Sequence, residues 1–116
     1  IALQYGWIKG PDSKLIALNS ALTTDMVFTQ PVLYEFPNLT MPTLLIIGSL
    51  DRTAIGRNWA PDGVKNQLGN YPVLGKKAAL AIPNSKLIVL NGVGHIPHIE
   101  KPQAFYQILL AFLKKH

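Results

Sequence analysis

Two short apolar runs do most to narrow what this chain can fold into. Pro42-Thr43-Leu44-Leu45-Ile46-Ile47 closes on Gly48, and Lys86-Leu87-Ile88-Val89-Leu90 leads into Gly92. Both have the length and near-continuous apolar content of strands buried on both faces, as parallel strands beneath helices are. Parallel strands need a crossover, and the sequence supplies one. Tyr71-Pro72 follows Asn70 and opens a predicted helix running to about Ile82, with proline in the first turn, where its missing N–H costs little. Pro83-Asn84 stops it. A second helix is predicted after Pro102, with Phe105, Ile108, Leu109, Phe112 and Leu113 spaced to form one apolar face that must pack on the sheet. The expected class is therefore α/β: two parallel strands, a right-handed crossover helix and a C-terminal helix.

Each strand delivers a chemically useful side chain just past its carboxyl end. Asp51 stands three residues beyond Gly48, and His95 lies in the loop Gly92-Val93-Gly94-His95-Ile96-Pro97. That edge of an open α/β sheet is where ligands bind, and glycines there permit backbone angles that strain other residues. On position alone His95 could equally finish a turn. Asp51 weighs against that, because an imidazole acting as general base needs a partner on its far nitrogen to fix the tautomer and stabilise the imidazolium. Asp62 is a rival acid, but it falls deep in the stretch 52–69 rather than at a strand end. That stretch contains Gly56, Pro61 and Gly63 and lacks a clean period, so a long, partly structured excursion is expected there, with Arg57 and Trp59 the residues to watch.

From about Met41 onward the sequence resembles the C-terminal third of the α/β-hydrolase fold family. The resemblance is carried by the Pro-Thr-Leu-Leu-Ile-Ile-Gly run, Asp51, the Lys-Leu-Ile-Val-Leu run, Gly-Val-Gly-His with Pro97, the Glu100-Lys101-Pro102 helix entry and the final helix. In that family the order is nucleophile, acid, histidine, and Asp51 and His95 keep the last two in order, 44 residues apart. The family's G-x-S-x-G elbow does not occur in this sequence, and Ser49, two residues before the acid in Gly48-Ser49-Leu50-Asp51, lacks the second glycine. The chain therefore reads as a fragment whose nucleophile and oxyanion hole lie upstream, an expectation that its start at Ile1 also prompts. The resemblance implies a hydrolase with Asp51 and His95 as acid and base, acting by acyl transfer to water, most plausibly on small esters. Relatives of the same fold cleave C–C bonds, epoxides or alkyl halides, or serve as non-catalytic small-molecule receptors.

The resemblance implies that residues 1–40 are the end of a helical cap and a connector, and residues 41–116 the core. Residues 1–11 read as irregular. Asp12 or Ser13 is placed to cap a helix with Leu15, Leu18 and Leu22 on one face. Pro31, Pro37 and Pro42 suit an extended passage from Thr29 to Met41. If the cap reading holds, Trp7, Met26 and Phe28, with Trp59 of the excursion, are candidates to contact substrate. Glu100 is expected to brace the histidine loop or enter its helix. His98 lies three beyond His95, but Pro97 makes this a loop in the expected reading and the spacing does not suit a zinc site, so no metal is expected. His116 is terminal and expected to be disordered. The formal net charge of +5 comes from scattered Lys and Arg, without the aromatic-interleaved patch that nucleic-acid binding uses. Zero cysteines exclude disulfides and cysteine catalysis within this sequence. No apolar run reaches the ~20 residues of a membrane span, no cofactor is implied, and the partner expected is a small-molecule substrate.

Overall fold

The computed structural model describes residues 2–116, and Ile1 lies outside them. The chain divides into two compact units, residues up to Val32 and Leu33–His116. In the second unit, β1 (Thr43–Gly48) pairs in parallel with β2 (Ser85–Leu90), in register from Thr43 opposite Ser85 to Gly48 opposite Leu90. The crossover helix α4 (Tyr71–Ala81) packs on both strands. It comes close because Gly75 has no side chain: a Cβ there would run into the side chains of Ile47 and Leu87. Residues alternate across a strand, and Leu44 and Ile88 accordingly share the other side of the sheet with Ile108 and Phe112 of α6 (Pro102–Leu113).

Both strands and both helices match the expected class. Their burial does not match. Apart from Gly48, the strand residues are only half-buried or exposed, because among the described residues the sheet has two strands, each with an uncovered outer edge. The α6 face is likewise half-buried at Phe105, Ile108, Leu109 and Phe112, while Leu113 at its end is exposed. The tightest packing gathers at the carboxyl edge of the sheet. Val93 is wholly buried there, and its carbonyl accepts the Leu50 N–H at 2.9 Å. The Ser49 N–H donates to the Leu90 carbonyl at 3.0 Å. These two bonds continue the ladder past the strands and hold the two strand-end loops side by side.

Two further segments differ from expectation, and the excursion matches it. Val32–Asn38 is a 3₁₀ helix rather than extended chain, with Pro37 at its penultimate position, where the fixed φ of proline falls in the 3₁₀ range although its ring supplies no N–H to the turn. The excursion after Asp51 folds into a 3₁₀ turn at Arg57–Trp59 and the short α3 (Asp62–Lys65), as a partly structured loop should. Pro97–Glu100 forms a single helical turn, α5, because proline at a helix start is preorganised rather than disruptive. His116 lies beside Phe112, with ring centroids 4.8 Å apart.

In the first unit, α1 (Ala2–Lys9) replaces the irregular segment expected over 1–11; the breakers Gly10 and Pro11 end this helix and do not prevent it. The Gly10 N–H donates to the Gly6 carbonyl at 2.7 Å. The expected helix follows as α2 (Ser13–Thr29). Asp12 caps it through its carbonyl, which accepts the Ile16 N–H at 3.0 Å, without a side-chain capping bond. Leu15, Leu18 and Leu22 are all exposed on it. No described helix is long and apolar enough to cross a membrane.

Candidate active site

Asp51 follows the turn Ser49-Leu50 directly after β1, and its backbone N–H donates to the Gly48 carbonyl at 3.2 Å. Gly48 must be glycine in this arrangement, since a Cβ would strike the carbonyls of Val93 and Gly94. That close approach brings the histidine loop down onto the acid's own turn. His95 Nδ1 donates to Asp51 Oδ2 at 2.9 Å. The pair is asymmetric: the Asp51 side chain is 6% exposed and that of His95 is 55% exposed. The carboxylate is sequestered and the imidazole is presented, with Nε2 on the side of the ring away from Asp51.

The second carboxylate oxygen is occupied too. Asp51 Oδ1 accepts the backbone N–H of Thr53 at 2.9 Å. Burial pushes the Asp51 carboxyl up, but the His95 hydrogen bond and the donors of Thr53 outweigh it and hold the group below its ordinary value of 3.8. Asp51 is thus an anion suited to orient an imidazole and to stabilise its protonated form.

The histidine loop is tied from below by Glu100, the last residue of α5. Its Oε2 accepts the Gly94 N–H at 2.8 Å and its Oε1 the Ile96 N–H at 3.3 Å, one bond on each side of His95. This is the loop-bracing role read from the sequence. A Cβ on Gly94 would come within 2.9 Å of the same carboxylate. Ser49 is also a brace: its Oγ accepts the Gly92 N–H at 2.9 Å and donates to Asn91 Oδ1 at 3.3 Å.

Asp62 sits in α3, and the carboxylate that holds His95 is that of Asp51. His98 lies on α5, not in a loop, and its ring rests against Phe105 with centroids 5.8 Å apart. Among the described residues no group of His, Asp and Glu side chains could hold a metal ion. Trp59 ends the 3₁₀ turn of the excursion and is 86% exposed. Trp7 lies on α1 and Met26 and Phe28 on α2, all exposed, with Trp7 lining a cleft of about 460 Å³ within its own unit beside Ile16 and Thr23. Tyr71 escaped the sequence reading: its ring centroid lies 6.2 Å from that of His95. The signal was present in the topology. A residue that opens a crossover helix returns to the edge where the preceding strand ended.

Two solved structures share this architecture. A probable hydrolytic enzyme from Pseudomonas aeruginosa PAO1 superposes with a TM-score of 0.83 and 53% identity over 90% of this chain. It has the α/β-hydrolase fold. The present chain is the C-terminal part of an α/β-hydrolase fold. A second structure of that fold, described as a predicted CIB-like hydrolase from Thermoplasma acidophilum, matches 75% of this chain with 26% identity and a TM-score of 0.56. The chain spans about a third of the length of each, 33% and 34%. No family model and no curated protein matches it.

Proposed function

We propose that this chain supplies the acid and base of a hydrolase that transfers an acyl group to water, with small esters as the substrate class. The observation that carries the reading is the 2.9 Å contact between a buried Asp51 and an exposed His95 at the carboxyl edge of the sheet. Asp51 orients the ring and stabilises the imidazolium; His95 Nε2 takes the proton of the nucleophile and returns it to the leaving alcohol. The nucleophile comes from outside these residues, since no G-x-S-x-G elbow is present and Ser49 is committed to bracing Gly92 and Asn91. The names of the two similar structures, a hydrolytic enzyme and a hydrolase, support the reaction class. Residues 1–40 as cap end and connector, 41–116 as core, and Trp7, Met26, Phe28 and Trp59 as substrate contacts belong to the same proposal.

The test is kinetic, in the full-length protein carrying this chain. His95→Ala should lower kcat on a chromogenic short-chain ester by orders of magnitude, with only a modest loss of thermal stability, because the exposed ring contributes little packing and the loss is confined to the bond on Asp51 Oδ2. Asp51→Asn should cost about 10⁴ in kcat by allowing the wrong tautomer. Activity retained in both variants would remove the acid–base assignment.

A further inference from the structure

Outside the Asp51–His95 contact, one side chain of the excursion reaches back to the acid through a peptide group. Arg57 Nη1, which carries two N–H groups, donates to the Arg52 carbonyl at 2.6 Å and to the Leu68 carbonyl at 3.2 Å. The Arg52 carbonyl belongs to the same planar peptide unit as the Thr53 N–H, and that N–H is the donor to Asp51 Oδ1. The order is therefore guanidinium, peptide carbonyl, peptide N–H, carboxylate, imidazole. The return of the loop is tight at the same place: Gly69 is buried, with φ +68°, and a Cβ there would collide with the carbonyls of Arg52 and Thr53.

We propose that Arg57 is a positioning residue for the acid–base pair, fixing and polarising the Arg52–Thr53 peptide so that its N–H holds Asp51 Oδ1 while Oδ2 holds His95. A peptide that accepts a hydrogen bond from a cation at its oxygen becomes a better donor at its nitrogen, because hydrogen bonds in series polarise one another. The bond also fixes the plane of that peptide, and with it the direction of the N–H. Arg52 does something different. Its guanidinium donates to the carbonyls of Asp51 at 2.7 Å and Ser49 at 3.3 Å, securing the turn but not the donor that meets the carboxylate. Arg57 touches no reacting atom and works only through Asp51. The inference rests on the acid–base reading proposed above, and its test separates the two.

In the full-length protein labelled with ¹⁵N-threonine, the Thr53 amide is assigned as the resonance lost in Thr53→Ser. Asp51→Asn should move it, which establishes it as a reporter of the carboxylate. Arg57→Ala should move it upfield as the hydrogen bond weakens, and should lower kcat about tenfold to a hundredfold with KM changed less than about twofold. Arg57→Gln, which keeps an N–H donor without the charge, serves the same purpose should Arg57→Ala not fold. Arg57→Lys should recover most of both signals, since an ammonium can still reach the Arg52 carbonyl. Gln67→Ala, which frees the same excursion from the Gln67 bond to the Gly63 carbonyl at 3.0 Å, should leave both at wild type. A Thr53 amide that stays in place in Arg57→Ala, or moves as far in Gln67→Ala, would overturn the proposal and reduce Arg57 to a closure of its loop. Full hydrolysis by Asp51→Asn would instead defeat the acid–base reading, with the amide shift still deciding whether Arg57 holds the peptide.

Discussion

Asp51 has a donor on each carboxylate oxygen, His95 Nδ1 on one and the Thr53 N–H on the other, and little exposure to water. Its proposed role and its contribution to stability therefore depend on the same bonds. Because burial is outweighed by these donors, the folded carboxyl titrates below 3.8, and the unfolded chain binds its proton more readily than the native state does. The sign follows: this stabilisation is complete above 3.8 and is lost as pH falls through the lower native value. Urea midpoints of the full-length protein should therefore decline as pH is taken below 3.8, and Asp51→Asn should remove part of that slope while lowering the midpoint at neutral pH. Equal slopes in the two proteins would show that the bonds on Asp51 do not persist in solution. Asp51 was legible in the sequence because strand ends in parallel sheets face one edge. The Thr53 donor was not, because a backbone N–H leaves no mark in residue type.

At the scale of elements, the four-residue α5 couples the C-terminal helix to the histidine loop through Glu100. Two N–H groups flanking His95 converge on one carboxylate, so the loop's geometry depends on a group that accepts at both oxygens. Glu100→Gln exchanges one acceptor for an NH₂ that must face an N–H. For an exposed site the expected cost is about 1 kcal/mol in the unfolding free energy, read from urea titration, together with a fall in kcat from a loosened His95. An unchanged kcat would mean that the contact to Asp51 alone orients the ring. Elements with a strong period were readable from sequence: the strands, α4 and α6 all stand within a residue or two of expectation. Those that failed were short and rich in proline or glycine. Val32–Asn38 and Pro97–Glu100 read as extended chain and loop, because proline forbids only the N–H and φ values it controls, and both suit a short helical turn. Residues 1–11 failed for the reverse reason, as Gly10 and Pro11 mark the end of a helix and not its absence. Burial was the least legible property. The apolar content of β1 and β2 says that the strands should be covered, not which residues cover them.

For the molecule as a whole, that uncovered surface has a consequence. Among the described residues the buried apolar side chains are Ile82, Val93 and Pro97, while Leu33, Leu74 and Leu80 of the same unit are exposed. Leu33, Phe36, Leu45, Ile47, Tyr71 and Leu74 line an open apolar cleft of about 400 Å³ between α4 and β1. A domain's net stability is a small remainder between large terms, and burial at roughly 25 cal/mol per Å² is the main favourable one. A chain of this length can bury enough surface to fold, but here much of the apolar area stays in water. β1 also presents its outer edge without a partner strand among the described residues, an invitation to pairing with other chains. Produced as an isolated 116-residue polypeptide, the chain should therefore self-associate, bind a hydrophobic dye such as ANS, and melt broadly. It should also fail to hydrolyse a short-chain chromogenic ester, having the proposed acid and base but no nucleophile elbow. Size-exclusion chromatography with light scattering, a thermal scan and an ester assay check the three expectations. A monomer with a sharp cooperative transition would show that the buried carboxyl edge of the sheet suffices to hold the fold. Ester turnover that survives in the wild-type polypeptide and vanishes in Ser49→Ala would show that the serine beside the acid, not one from elsewhere, is the group His95 activates.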